Sequence, residues 1–295
     1  MTLVMVIFEQ SLLHVPLMLG AYISYSLLKA SDISLETAYV VGAITGSTML
    51  AHVQHMQIIF VLPLVIIASC LGGAIVGMIS STLTQKLQIS HLLSCIITFG
   101  LFHGINQFIV PAYYSLSTYT NPLAAFDYMP QYPEFPLLCM TAILLIGLLY
   151  ILGRTELGCA YAVYGNNPLF FANYGISTSY VFVTGIMMAN ALAGLSGYLF
   201  AQSNNFVELN MGLGKLLLCI TALLLGKICM RMRFTFSVGV PVTGTVAYFT
   251  IQQLLIKVGL NLKYFTALQA FVLVCFVTYM HYMHPQQSSH DVLGI

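Results

Sequence analysis

The chain has 295 residues, of which 59% are hydrophobic and 6% charged, with a formal net charge of +1. Ordinary soluble domains carry roughly a quarter charged residues, so this chain cannot clothe itself in water-compatible surface, and its composition is that of a polytopic membrane protein. The near-zero net charge excludes a nucleic-acid partner, for which no electrostatic footprint exists.

No Lys or Arg precedes Lys29 and no small-residue cleavage site follows the first apolar run, so that run is read as a span rather than a signal peptide. About 20 apolar residues cross a bilayer. On that ruler the expected fold is all-α, with nine spans at about residues 3–28, 38–52, 57–84, 89–110, 137–153, 179–201, 213–227, 235–257 and 264–283. Between the first two, SDISLETAYVVGA places Asp32 and Glu36 between apolar stretches and reads as a cap or as a broken span.

Small residues recur at a spacing of four: Gly42 and Gly46, Gly73 and Gly77, Gly100 and Gly104, then Gly185, Ala189, Ala193 and Gly197. That spacing puts them on one helix face and lets a neighbouring helix approach closely. The seven cysteines, at 70, 95, 139, 159, 219, 229 and 275, are scattered through apolar segments without a CxxC pair and read as small buried residues.

The loop over residues 111–136 is rich in Pro and Tyr and contains Asp127 and Glu134 but no Lys or Arg. Under the positive-inside bias it lies outside. Alternation then places Lys29, Lys86, Arg154, Lys227, Arg231 and Arg233 inside and Lys215, Lys257 and Lys263 outside, with an external N-terminus and a cytoplasmic C-terminus. A re-entrant segment at 31–51 would instead put the N-terminus inside.

The polar interruption RTELGCAYAVYGNNPLFFANYGIS, residues 154–177, carries its own start and stop signals: Asn167 as N-cap, Pro168 at the first helical position and Gly175 where a helix must end. A helix of about seven residues, ~10 Å long, is too short to span and is expected at the cytoplasmic membrane surface as a docking element. Its candidate residues are Gly165, Asn166, Asn167, Pro168, Phe170, Phe171, Ala172, Asn173 and Gly175; the plain alternative is a capped loop. Uncharged polar residues within apolar helices, Asn106, Gln107, Asn190 and Gln202, are pathway candidates, with Glu208 and Asn210 at the outer mouth. An amide in hydrocarbon must find a partner or face water, so these residues point inward, toward a pore or toward another helix.

The run ELGCAYAVYGNNPLFFANYGISTSYVFVTGIMMANALAGLSGYLFAQ resembles the signature of permease subunits of bacterial ABC importers of the branched-chain amino acid and ribose class, in particular the tryptophan or tyrosine transport group. DISLETAYVVGA, KLQISHLLSCIITFGLFHGIN and NNFVELNMGLGKLLLCITALLLGK are similar to segments of that group in the same order, so the likeness runs from about Phe8 to Tyr279. The resemblance implies that segment 154–177 is the coupling helix on which a cytoplasmic ABC ATPase docks. It implies further partners: a second permease copy or paralogue, an external substrate-binding lipoprotein and the lipid bilayer of the inner membrane. The solute would be small, an amino acid, and no cofactor is expected. The chain departs from the pattern at Ala162, where an Arg is usual, at Asn166, where an Asp is usual, and at Glu36, Thr37 and Ala38, which replace Asp-Gly-Ser. The additional N-terminal helix of ribose-type permeases is expected to be absent.

No GxxxxGK(S/T) run occurs, so P-loop ATP binding is not expected and the energy must come from another subunit. A self-sufficient secondary transporter would call for ionisable residues deep in the bundle and two repeated halves. An intramembrane enzyme would call for a Ser/His, paired-Asp or metal-ligand constellation. Neither pattern is legible. The pairs His52/His55 and His281/His284 lack a third ligand nearby, and no metal is expected.

Overall fold

Apolar runs whose backbone groups can find no water must close their hydrogen bonds within themselves, and here they do so as helices. The computed structural model describes residues 3–53, 55–110, 113–117, 121–124, 134–167, 170–171, 177–230, 237–259 and 265–283. Within them the helices are α1 Leu3–Ala21, which continues into a π-helical turn Tyr22–Leu27, α2 Ser34–Val53, α3 Ile58–Leu87, α4 His91–Ile109 and α5 Phe135–Arg154. There follow α6 Glu156–Asn166, α7 Thr178–Asn204, α8 Lys215–Met230, α9 Gly239–Lys257 and α10 Phe265–Met283.

Among the described residues, five segments are long and apolar enough to cross a membrane: Leu3–Leu27, Phe60–Leu87, His91–Ile109, Phe135–Arg154 and Thr178–Asn204. The protein is therefore a mostly helical, multi-pass membrane protein. Helices α2 and α8 fall short of that measure for physical reasons. Helix α2 has 20 residues but carries Ser34, Glu36, Thr37, Thr45 and Ser47, and it is buried along most of its length. A helix enclosed by other helices needs no lipid-compatible surface. Helix α8 has 16 residues, about 24 Å at 1.5 Å per residue, against ~30 Å of hydrocarbon.

Helix α7 is the axis of the fold, packed along α1, α2 and α3. The closest approach is between glycines: a Cβ on Gly42 of α2 would overlap the backbone of Gly194 of α7, and one on Gly194 would come within 2.6 Å of the Ser69 carbonyl of α3. At Gly197 a Cβ would overlap the Tyr39 carbonyl. The small-residue seam therefore has two sides: Ala189 lies toward α1 and Gly197 toward α2, Asn190 lies toward α3, and Gly194 sits between α2 and α3. Gly73 and Gly77 of α3 close on the Asn190 and Ile186 carbonyls, Gly46 meets the Tyr198 ring, Gly185 meets Leu28 and Tyr161, and Ala193 is fully buried. A methyl on Gly100 or Gly104 would meet no described residue within 4 Å. Gly194 and the pair Gly226 and Gly244, which join α8 to α9, stand outside the small-residue pairs legible in the sequence.

A two-stranded antiparallel ribbon, β1 Tyr113–Ser115 and β2 Phe206–Glu208, pairs Tyr114 with Val207. It ties the segment after α4 to the end of α7, where Asn205 takes a left-handed φ of 59° to turn the chain. Val207 and Leu116 seal that end against Val40, Ala43 and Ile44.

Candidate coupling segment and buried polar core

The interruption between α5 and α7 begins one helix earlier than its Asn-Pro signal indicates. Thr155 adopts an extended conformation and its hydroxyl accepts from the Gly158 amide over 3.4 Å, starting α6, with Glu156 in the favourable first turn. The N-cap pattern T-E-L-G was the sequence signal for this helix. Gly158 lets α6 fold back on the Leu152 carbonyl, so α5 and α6 meet in a tight corner. Tyr161 is buried to 2% exposure and donates to Thr184 of α7 over 3.4 Å. Gly165 presses against the Leu27 carbonyl, where no Cβ could fit. Helix α6 thus joins the π turn ending α1 to the start of α7.

Asn167 closes α6 and its carbonyl accepts from the Phe170 amide over 3.2 Å. Phe171 is buried at 5% exposure, whereas Phe170 is 41% exposed. Asn166 donates to the Ala162 carbonyl over 2.8 Å, so the two departures from the resembled pattern lie one turn apart and contact each other. Pro168, Ala172, Asn173 and Gly175, and with them most of the short helix expected there, lie outside the described residues.

The pathway candidates fall in different surroundings. Asn190 is fully buried near the middle of α7: its amide donates to Asp32 Oδ2 over 2.9 Å and to the Ile186 carbonyl over 3.0 Å, and its oxygen lies 3.1 Å from the Ser34 hydroxyl. Ser34 donates to Asp32 Oδ1 from its amide at 2.9 Å and its hydroxyl at 2.5 Å, which makes Asp32 the cap of α2. The buried Asp32 carboxylate is thus held by donors from Ser34 and Asn190, and His91 Nε2 lies 3.6 Å from its Oδ1. Asn106 is buried at 4% exposure, Gln107 is exposed and within 3.1 Å of His103 Nε2, and Glu208 and Asn210 are exposed. Gln202 is fully buried, and both of its amide atoms lack a partner among the described residues. The hydroxyls of Tyr39 and Ser47 on α2 and of Tyr198 on α7 are in the same condition. Each such group costs about 1–3 kcal/mol if it stays unpaired.

Two arrangements had no sequence signature. Glu36 Oε1 accepts from the Leu216 amide over 3.0 Å and so caps α8 from across the fold. The Lys215 ammonium lies 3.0 Å from His14 Nε2, 5.1 Å from the Tyr39 ring centroid and 4.5 Å from that of Phe200. His14 Nδ1 is 2.9 Å from the Gln10 carbonyl; donating there, it leaves Nε2 to accept from the lysine.

A family model described as the permease component of branched-chain amino acid transport systems matches residues 6–277. The chain belongs to this family. The permease is 29% identical over 250 residues to a tyrosine transport system permease protein of Clostridioides difficile (strain R20291), covering 83% of this chain and 80% of the relative. It is 27% identical over 231 residues to an uncharacterized protein of Rickettsia prowazekii (strain Madrid E), covering 77% and 78%. It is also 25% identical over 200 residues to the autoinducer 2 import system permease protein LsrC of Yersinia pseudotuberculosis serotype O:3, covering 64% of this chain and 53% of the relative. No solved structure matches the permease. It is a transport subunit of an importer, and in such systems the ATPase is a separate subunit.

Proposed function

We propose that this permease carries an amino acid across the bacterial inner membrane as part of an ABC importer. It would do so with a second copy or a paralogue, two cytoplasmic ATPase subunits and an external substrate-binding lipoprotein. The tyrosine permease relative supports the amino-acid class of solute. The chain crosses the membrane nine times in this reading: α2, α8, α9 and α10 join the five long apolar segments, α2 enclosed by its neighbours and α10 presenting Phe271 and Val274 on an exposed apolar face.

The observation that carries the reading is the anchoring of α6. This helix is bound at Tyr161 to α7 and at Gly165 to the π turn after α1, while Phe170 just beyond it stands 41% exposed. A partner pressing on segment 154–177 would therefore move α5 and α7 together. Along the contact of α2 with α7, the unpaired polar atoms of Gln202, Tyr39 and Tyr198 offer a solute hydrogen bonds that the described residues leave unused. Gln202 is accordingly the pathway residue favoured here, and Asn190 and Asp32 hold the wall behind it.

The test is reconstitution of the permease with its ATPase and binding protein in liposomes, comparing wild type with Phe170→Glu. ATP hydrolysis should persist while solute uptake per ATP falls by about tenfold, the equivalent of ~1.4 kcal/mol of docking energy. An unchanged ratio of uptake to hydrolysis overturns the coupling assignment.

A further inference from the structure

Asp32, His91 and Cys95 come from the turn before α2 and from successive turns of α4, and their ligand atoms converge on one point. Asp32 Oδ1 lies 3.4 Å from Cys95 Sγ and 3.6 Å from His91 Nε2, and those two atoms are 3.6 Å apart. A tetrahedral ion with metal–sulfur bonds of about 2.3 Å and metal–nitrogen and metal–oxygen bonds of about 2.0–2.1 Å requires ligand separations of roughly 3.3–3.6 Å. The three atoms thus form one face of a tetrahedron of the right size.

The surrounding hydrogen bonds orient the ligands for that purpose. The single hydroxyl proton of Thr84 is donated to the Ser80 carbonyl over 2.9 Å. The 3.0 Å contact of Thr84 with His91 Nδ1 admits either ring tautomer; where the hydroxyl proton stays on the Ser80 carbonyl, Thr84 accepts, the ring proton sits on Nδ1 and the lone pair of Nε2 turns toward Asp32 and Cys95. A bare nitrogen facing a carboxylate oxygen is a contact of two acceptors, and a cation between them resolves it. The other carboxylate oxygen is held by Asn190 over 2.9 Å, and Ser34 fixes the orientation of the group. Fixing the outer atoms of ligands in this way is the usual device of metal centres. Asp32 is completely buried and the His91 side chain is 12% exposed.

We propose that Asp32, His91 and Cys95 form a divalent metal site for a borderline ion such as Zn²⁺. The thiol would bind as thiolate, releasing its proton, and a fourth position would remain for water or another small ligand. Mixed sulfur, nitrogen and oxygen donors in a tetrahedral arrangement favour Zn²⁺ over Mg²⁺ or Ca²⁺, which take octahedral or larger all-oxygen shells. The ion would fasten the turn before α2 to the start of α4.

The full-length permease, purified in detergent, saturated with Zn²⁺ and desalted, should retain one ion per chain. The Co²⁺-loaded protein should show thiolate-to-cobalt charge-transfer absorption. Cys95→Ser should abolish that absorption, His91→Gln should remove stoichiometric retention, and Thr84→Val, which spares all three ligands, should weaken affinity about 10–100-fold. The proposal is overturned if the well-folded wild type retains no ion, as an imidazolium–carboxylate pair at this place would require. It is equally overturned if Cys95→Ser and His91→Gln, still monodisperse, bind as wild type does, because retention would then belong to other histidines.

Discussion

The Asn190 side-chain amide donates to the Asp32 carboxylate over 2.9 Å and so ties the middle of α7 to the cap of α2. Both groups are fully buried, so each depends on the other for satisfaction. Replacing Asn190 by Leu leaves the Asp32 oxygen without its donor, and hydrogen bonds to charged groups are worth about 1.5–3 kcal/mol. Asn190→Leu should therefore lower the thermal midpoint of the purified permease by several degrees. Asn190→Asp, which sets a second carboxylate against the first, should lower it further.

The glycine contacts separate into tight and open ones, and substitution distinguishes them. Gly42→Ala puts a methyl onto the backbone of Gly194, and an overpacked core loses about 1–3 kcal/mol or more. Gly104→Ala adds a methyl that meets no described residue within 4 Å and replaces a poor helix former. In matched thermal melts the first variant should be destabilised and the second should equal or exceed wild type.

Gly165 offers a separate handle on α6. Gly165→Val would collide with the Leu27 carbonyl and lift α6 from the π turn while leaving the α2–α7 core untouched. Uptake in the reconstituted importer should fall by at least about tenfold, with the melting midpoint shifted far less than by Gly42→Ala. Equal shifts in stability for the two variants would show that α6 docking is part of the core.

Lys215 places its ammonium against two ring faces and an imidazole nitrogen rather than a carboxylate. Cation–π contacts contribute about 0.5–2 kcal/mol. Lys215→Met keeps the aliphatic stem and should cost no more than that, whereas Lys215→Glu sets an anion against the negative ring faces and should cost more. Chemical denaturation of the detergent-solubilised variants measures the difference.

The orientation of the chain is open to direct measurement. In a background with the native cysteines replaced, Asn121→Cys should react with a membrane-impermeant thiol reagent from outside the cell. Asn166→Cys should react only after the inner face is exposed. Labelling of both from one side contradicts the orientation.

Some of this was legible in the residues alone. A composition with 6% charge allows little but a membrane-embedded helical body, and the order of motifs pointed to an importer permease, the family that residues 6–277 match. Local chemistry showed that residues 154–177 break the helical run, because capping depends on neighbours in sequence. It missed α6 because Asn167-Pro168 is the more conspicuous start signal, although Thr155 caps a helix of 11 residues first. The spacing of small residues revealed that helices touch but not which ones: Gly42 and Gly194 are 152 positions apart, and only the fold brings them together. The convergence of Asp32, His91 and Cys95, the Glu36 cap on α8 and the ring box around Lys215 are also tertiary facts. Sequence fixes what each side chain can donate, accept or bury over one or two helical turns, whereas partners supplied by other helices are chosen by how those helices cross.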